Sequence, residues 1–170
     1  MPESTRRTVA VYQVHPAILA GAALVTLLLE TFLPLKLPLA RLMDFPLLIV
    51  IYFALLRREK VFGILLGTSI GLLEDALSHG YIGVFGIAKA VVGYLAASAS
   101  TQFELESLFA RTVLTAAFVL VHNLCLAGLE RALLESPPPF QPLAMASAVL
   151  INTALGLIVF QILDRFRRPA

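Results

Sequence analysis

Long apolar runs dominate the chain, and they decide what it can fold into. Residues 16–33, 61–77, 81–100, 108–129 and 143–163 each come close to the roughly 20 residues a helix needs to cross the hydrocarbon core of a bilayer. A sixth run, 45–56, is purely apolar but too short. Extended back to Leu39 it reaches spanning length and takes in Arg41 and Asp44, which stand three apart and could pair on one helix face near the interface. Pro34, Pro38 and Pro46 make its approach kinked or partly non-helical. Apolar residues make up 59% of the chain and charged residues 14%, against about 25% charged in a soluble domain. That leaves too few polar groups to cover a soluble surface, and excludes disorder as well. The expected fold is an all-α integral membrane protein: one membrane domain, residues 1–170, with six transmembrane helices at about 16–33, 39–56, 61–77, 81–100, 108–129 and 143–163.

Orientation follows from Lys and Arg. With a cytoplasmic N-terminus, the inside segments hold Arg6, Arg7, Arg57, Arg58, Lys60, Arg111, Arg165, Arg167 and Arg168, and the outside segments hold Lys36, Arg41 and Arg131. Nine against three favours six spans with both termini in the cytoplasm. Arg6 and Arg7 also resemble the start of a signal peptide cleaved near Ala20–Gly21–Ala22. The first run is read instead as a retained span, because more membrane follows it rather than a secreted domain. The net charge of +2 is spread over short loops and implies no nucleic-acid surface. The single cysteine, Cys125, excludes an intrachain disulfide and a multi-cysteine metal site.

The third and fourth runs carry the specific pattern. Gly63, Gly67, Gly71, Asp75 and His79 recur every fourth residue, one stripe on a helix. Gly83, Gly86, Ala90, Gly93 and Ala97 form a second small-residue face. Ser78–His79–Gly80 leaves only a tight turn, so the two helices are antiparallel neighbours. Their small faces either meet each other or receive a helix from another protein. Leu66, between two glycines, reads as lipid-facing. A charge inside a span needs a partner or water, and Lys89 lies about one turn deeper than the residue opposite Asp75. Either the two pair, or Lys89 meets helix-end carbonyls while Asp75 caps the hairpin.

Other polar residues in the runs are His122 and Asn123 in the fifth, and Asn152 and Thr153 in the sixth. Hydrogen bonds between helices account for them; the sharper reading is a polar cavity for a small ligand between those two spans. Glu30 falls near the outer end of the first run. Gly67–Thr68–Ser69–Ile70–Gly71 matches GxSxG as a string, but a nucleophile elbow requires a strand-to-helix turn, and here both glycines belong to the helical stripe. No HExxH occurs, and neither a catalytic residue, a metal site nor a cofactor is expected.

The stretch from Gly63 to Gly86, GILLGTSIGLLEDALSHGYIGVFG, resembles the hallmark region of the bacterial rod shape-determining protein MreD family: a glycine-spaced span, an aspartate, a short Ser/Gly turn and a Gly-rich next span. Length, six-span layout and the basic loop after Tyr52–Phe53 are also similar. Glu74 before Asp75 and Lys89 in the next span are not features the family requires. The resemblance implies a non-catalytic inner-membrane subunit of the cell-elongation machinery, or elongasome, acting as a scaffold in peptidoglycan synthesis. It implies a single-span partner, MreC, and through it MreB, RodA and a penicillin-binding transpeptidase. It also implies a fold similar to the S components of energy-coupling transporters, which supplies the alternative function of binding a vitamin or metal ion. Gly63, Gly67, Gly71, Asp75, Ile82, Gly83, Phe85, Gly86 and Gly93 are expected to serve either helix packing or a partner interface.

Overall fold

The computed structural model describes residues 12–13, 15–78, 81–102, 107–166 and 168–169. His79 and Gly80 lie outside the described residues, as do Arg6, Arg7 and Arg167. Six helices follow one another: α1 (Pro16–Phe32), α2 (Phe45–Arg57), α3 (Lys60–Ser78), α4 (Val84–Ala99), α5 (Leu108–Leu133) and α6 (Pro142–Asp164). Pro16 and Pro142 stand at the starts of α1 and α6, where a missing N–H costs nothing because no carbonyl precedes it.

Four helices are long and apolar enough to cross a membrane: α1 with its 3-10 extension to Leu35, α3, α5 and α6. The chain is therefore a multi-pass membrane protein. The second expected span, 39–56, is corrected. Only Phe45–Arg57 is α-helical, and Leu33–Leu35 and Pro38–Leu42 form two 3-10 turns before it. Pro34 and Pro38 cannot donate to an α-helical ladder, so the helix begins where Asp44 caps it, its Oδ1 accepting from Leu47 N at 2.8 Å. At about 1.5 Å per residue, α2 is about 20 Å long, short of a bilayer core of about 30 Å. Every residue from Pro46 to Leu56 is buried. A helix apolar all round belongs in the middle of a bundle, and α2 is that central post. The other helices pack Leu27, Leu66, Ile70, Val92, Ala96, Val119 and Phe160 against it. Leu66 is thus a core residue, 8% exposed, while Leu65 faces outward.

At one end of the bundle Tyr52 Oη donates to Asp164 Oδ1 at 2.9 Å, and Arg111 forms an ion pair with the same carboxylate. This ties α2, α5 and α6 together. A two-residue antiparallel pairing, Tyr12–Gln13 with Arg168–Pro169, sets the two ends of the described chain side by side.

Candidate functional site: a glycine-packed hairpin beside a buried charge cluster

The most extensive helix contact in the molecule is between α3 and α4, and the glycines explain it. A Cβ on Gly63 would overlap the carbonyl of Gly93, one on Gly67 the backbone of Lys89 and Ala90, and one on Gly71 the backbone of Phe85 and Gly86. Gly93 meets Gly63 in the same way. The two small-residue faces therefore meet each other, backbone against backbone. No free glycine groove remains between Gly63 and Gly71 for a foreign helix.

Asp75 extends the stripe and closes the hairpin. Its Oδ2 accepts from Gly83 N at 2.8 Å and Gly86 N at 3.1 Å, and its Oδ1 from Phe85 N at 3.1 Å. These are the N–H groups that a helix start leaves without intrahelical partners, and a carboxylate is well placed against the positive end of α4. Gly83, the N-cap, has φ +104°, a left-handed conformation that favours glycine.

The expected Asp75–Lys89 pair is corrected. Lys89 Nζ lies 2.8 Å from Asp44 Oδ2 and 2.8 Å from Glu74 Oε2. Both oxygens of Asp75 are taken by α4 backbone, whereas Glu74, about 100° further round α3, projects toward the bundle interior where Lys89 is fully buried. The Arg41–Asp44 pair is likewise replaced, since Asp44 caps α2 and accepts from Lys89.

Around this core every helix contributes one polar side chain. From α1, Glu30 Oε2 accepts from Phe45 N at 3.2 Å. From α5, His122 places Nδ1 3.6 Å from Asp44 Oδ2, with its ring stacked on Phe85. From α6, Asn152 Oδ1 accepts from Asp44 N at 2.7 Å, while its Nδ2 donates to Leu42 O at 2.7 Å and Ala148 O at 2.9 Å. Asn152 so fixes the proline-rich segment that leads into α2. A cavity of about 330 Å³ adjoins the cluster. Glu30, Asp44, Glu74, His122 and Asn152 line it, with Arg41 and Arg131 also on its wall.

Sequence reasoning missed Asp44 and Glu74 as the partners of Lys89. The available signal was charge bookkeeping: Lys89 is the one cation deep in a run and needed the least solvated acids, wherever they stood in the chain. Ile82 is 81% exposed, while Phe85 is half-buried and turned to the cavity. Ser69 is exposed on uninterrupted helix, so the elbow geometry that GxSxG chemistry demands is missing there.

A family model described as rod shape-determining protein MreD matches residues 14–166. The chain belongs to the MreD family. The resemblance read from residues 63–86 thus extends over all six helices, and with it comes a role in rod shape determination, within a complex with other proteins. No curated protein and no solved structure matches this MreD-family chain. The MreD family is one of shape-determining structural proteins rather than a known family of enzymes.

Proposed function

We propose that this MreD-family chain is a non-catalytic scaffold of the bacterial cell-elongation complex. Its six helices, the short α2 and α4 included, cross the inner membrane in alternating directions with both termini in the cytoplasm, and it docks an MreC-like single-span protein. Through that partner it connects MreB to peptidoglycan synthesis by RodA and a penicillin-binding transpeptidase. The observation that carries this reading is the family match over residues 14–166. The side-by-side chain ends support an even number of crossings, and the Lys and Arg distribution supports the orientation. Reporter fusions after Arg58, at the α3–α4 turn, after Glu104, after Pro139 and after Ala170 should alternate in, out, in, out, in; an external C-terminal reporter would refute the topology.

Because the glycine faces are consumed within the hairpin, the partner docks on its outward side. Ile87, Val91 and Tyr94 are exposed on α4 at helical spacing, and Ile82 is exposed in the turn before it. Van der Waals packing, not hydrophobic drive, would hold a partner helix there. Thiol crosslinkers at Ile82 and Ile87, in a Cys125→Ala background, should capture the partner from native membranes. Co-purification without crosslinking from these positions would move the docking site, and no co-purifying protein would defeat the scaffold reading. The alternative, an S-component-like subunit for a vitamin or metal ion, has one observation in its favour, the polar cavity. Recovery of such a molecule in place of a protein partner would install it.

A further inference from the structure

We propose that the cavity lined by all six helices is a binding site for a small amino-acid-type zwitterion, with the ammonium held at the inner wall and the carboxylate at the rim. The inner wall holds three carboxylates, Glu30, Asp44 and Glu74, and one ammonium, Lys89, lies buried behind them. Lys89 hydrogen-bonds Asp44 at 2.8 Å and forms an ion pair at 2.8 Å with Glu74, whose Oε2 has no hydrogen-bond partner among the described residues. Glu30 accepts one backbone N–H and shares Lys89 only at longer range, with no ion pair of its own among the described residues. A second, independent vacancy lies on the wall of the same cavity. His122 lines the cavity, is 2% exposed, and its Nε2 has no hydrogen-bond partner among the described residues. Its Nδ1 faces the Asp44 carboxylate at 3.6 Å, which favours a proton on Nδ1 and leaves Nε2 as a bare acceptor. A buried acceptor without a donor is costly, and so is a carboxylate without a close cation away from water. One group answers both: a cation with several N–H donors, such as a primary ammonium. The described residues contain no grouping of His, Cys, Asp and Glu suited to a metal ion.

The rest of the wall asks for the opposite charge. Arg41 and Arg131 line the cavity and have no ion pair among the described residues; Arg131 stacks on Phe140, and Glu130 lies on the same wall. A carboxylate beside an arginine is a strong hydrogen-bonded pairing. The volume of about 330 Å³ falls in the range of small-molecule sites. This inference does not depend on the partner proposed above.

The test uses the full chain in nanodiscs and three probes: alanine, ethylamine (which lacks the carboxylate) and propionate (which lacks the amine). Equilibrium binding should show saturable alanine, ethylamine weaker by about tenfold, a loss in the range of one charged hydrogen bond, and no propionate. Glu30→Gln keeps an acceptor for Phe45 N and should weaken alanine and ethylamine alike. Arg131→Ala should weaken alanine and leave ethylamine unchanged. If neither alanine nor ethylamine binds, the acids are balanced by protons and the site does not exist. Equal affinity for alanine and ethylamine, or wild-type binding in both variants, overturns the assignment, as does competition of alanine by Mg²⁺ alone.

Discussion

Gly67→Ala is the smallest change that should break this molecule. The added methyl would lie within 3.0 Å of three backbone atoms, Lys89 O and C and Ala90 N. Backbone in a helix cannot rotate aside as a side chain can. The clash is relieved only by moving α3 and α4 apart by about 1 Å, which brings the contact to van der Waals distance. That movement acts at the residue whose ammonium Glu74 holds at 2.8 Å, and it parts the Gly63–Gly93 and Gly71–Gly86 contacts on either side. Overpacking ordinarily costs about 1–3 kcal/mol, and with rigid backbone on both sides the upper end applies, about 3 kcal/mol. Gly128→Ala is the control, since nothing lies within 4 Å of its Cβ position; there the alanine should be neutral or stabilise α5 by up to about 1 kcal/mol. The assay is thermal or denaturant unfolding of the two purified variants in mild detergent, followed by monodisperse yield. Equal midpoints for Gly67→Ala and Gly128→Ala would refute the close approach of α3 and α4.

Asp75→Ala strips three N–H groups of their acceptor and should cost about 2 kcal/mol, read as a lowered unfolding midpoint; Asp75→Asn, which keeps one acceptor, should fall between Asp75→Ala and the native protein. Ser69→Ala should complement a shape-defective strain fully, and a folded but inactive Ser69→Ala protein would restore the hydrolase reading. Lys89→Met leaves Asp44 and Glu74 buried without a cation and should cost about 3–5 kcal/mol. Adding Asp44→Asn and Glu74→Gln to Lys89→Met should recover much of that loss in the same unfolding assay, because asparagine still caps α2; no recovery would show that Lys89 acts by packing alone.

What the sequence disclosed and what it concealed divide along a physical line. Long apolar runs and the four-residue glycine period are local properties, and they carried the helices, the hairpin and the family. The partners of Lys89 were concealed because Asp44 lies 45 residues away and only the folded bundle brings it there. Asp75 drew attention by lying on the stripe, yet the stripe faces α4 backbone, so its carboxylate was committed to capping. Glu74, one residue earlier, lies off the stripe and points inward to Lys89. The length of α2 was partly legible: three prolines warned of an irregular approach, but nothing local indicated that a run as apolar as Pro46–Leu56 would be wrapped by protein on every side rather than by lipid.

That central position gives the polar cluster its purpose. Apolar packing alone lets lipid-bathed helices slide or rotate at little cost, since lipid tails are as apolar as the side chains they replace. A lysine held by acids from two other elements cannot slide without exposing a charge to hydrocarbon. Asn152 adds direction, because its amide joins the backbone on both sides of Met43, which sets the position of the segment before α2. The glycine hairpin fixes how closely α3 and α4 approach, and the cluster fixes how the other five helices register around α2. In the scaffold role proposed above, such register matters more than added stability. The energetic argument agrees: a buried ion pair is seldom a gain over well-packed apolar residues, so its value in this bundle lies in excluding every other arrangement of the same helices.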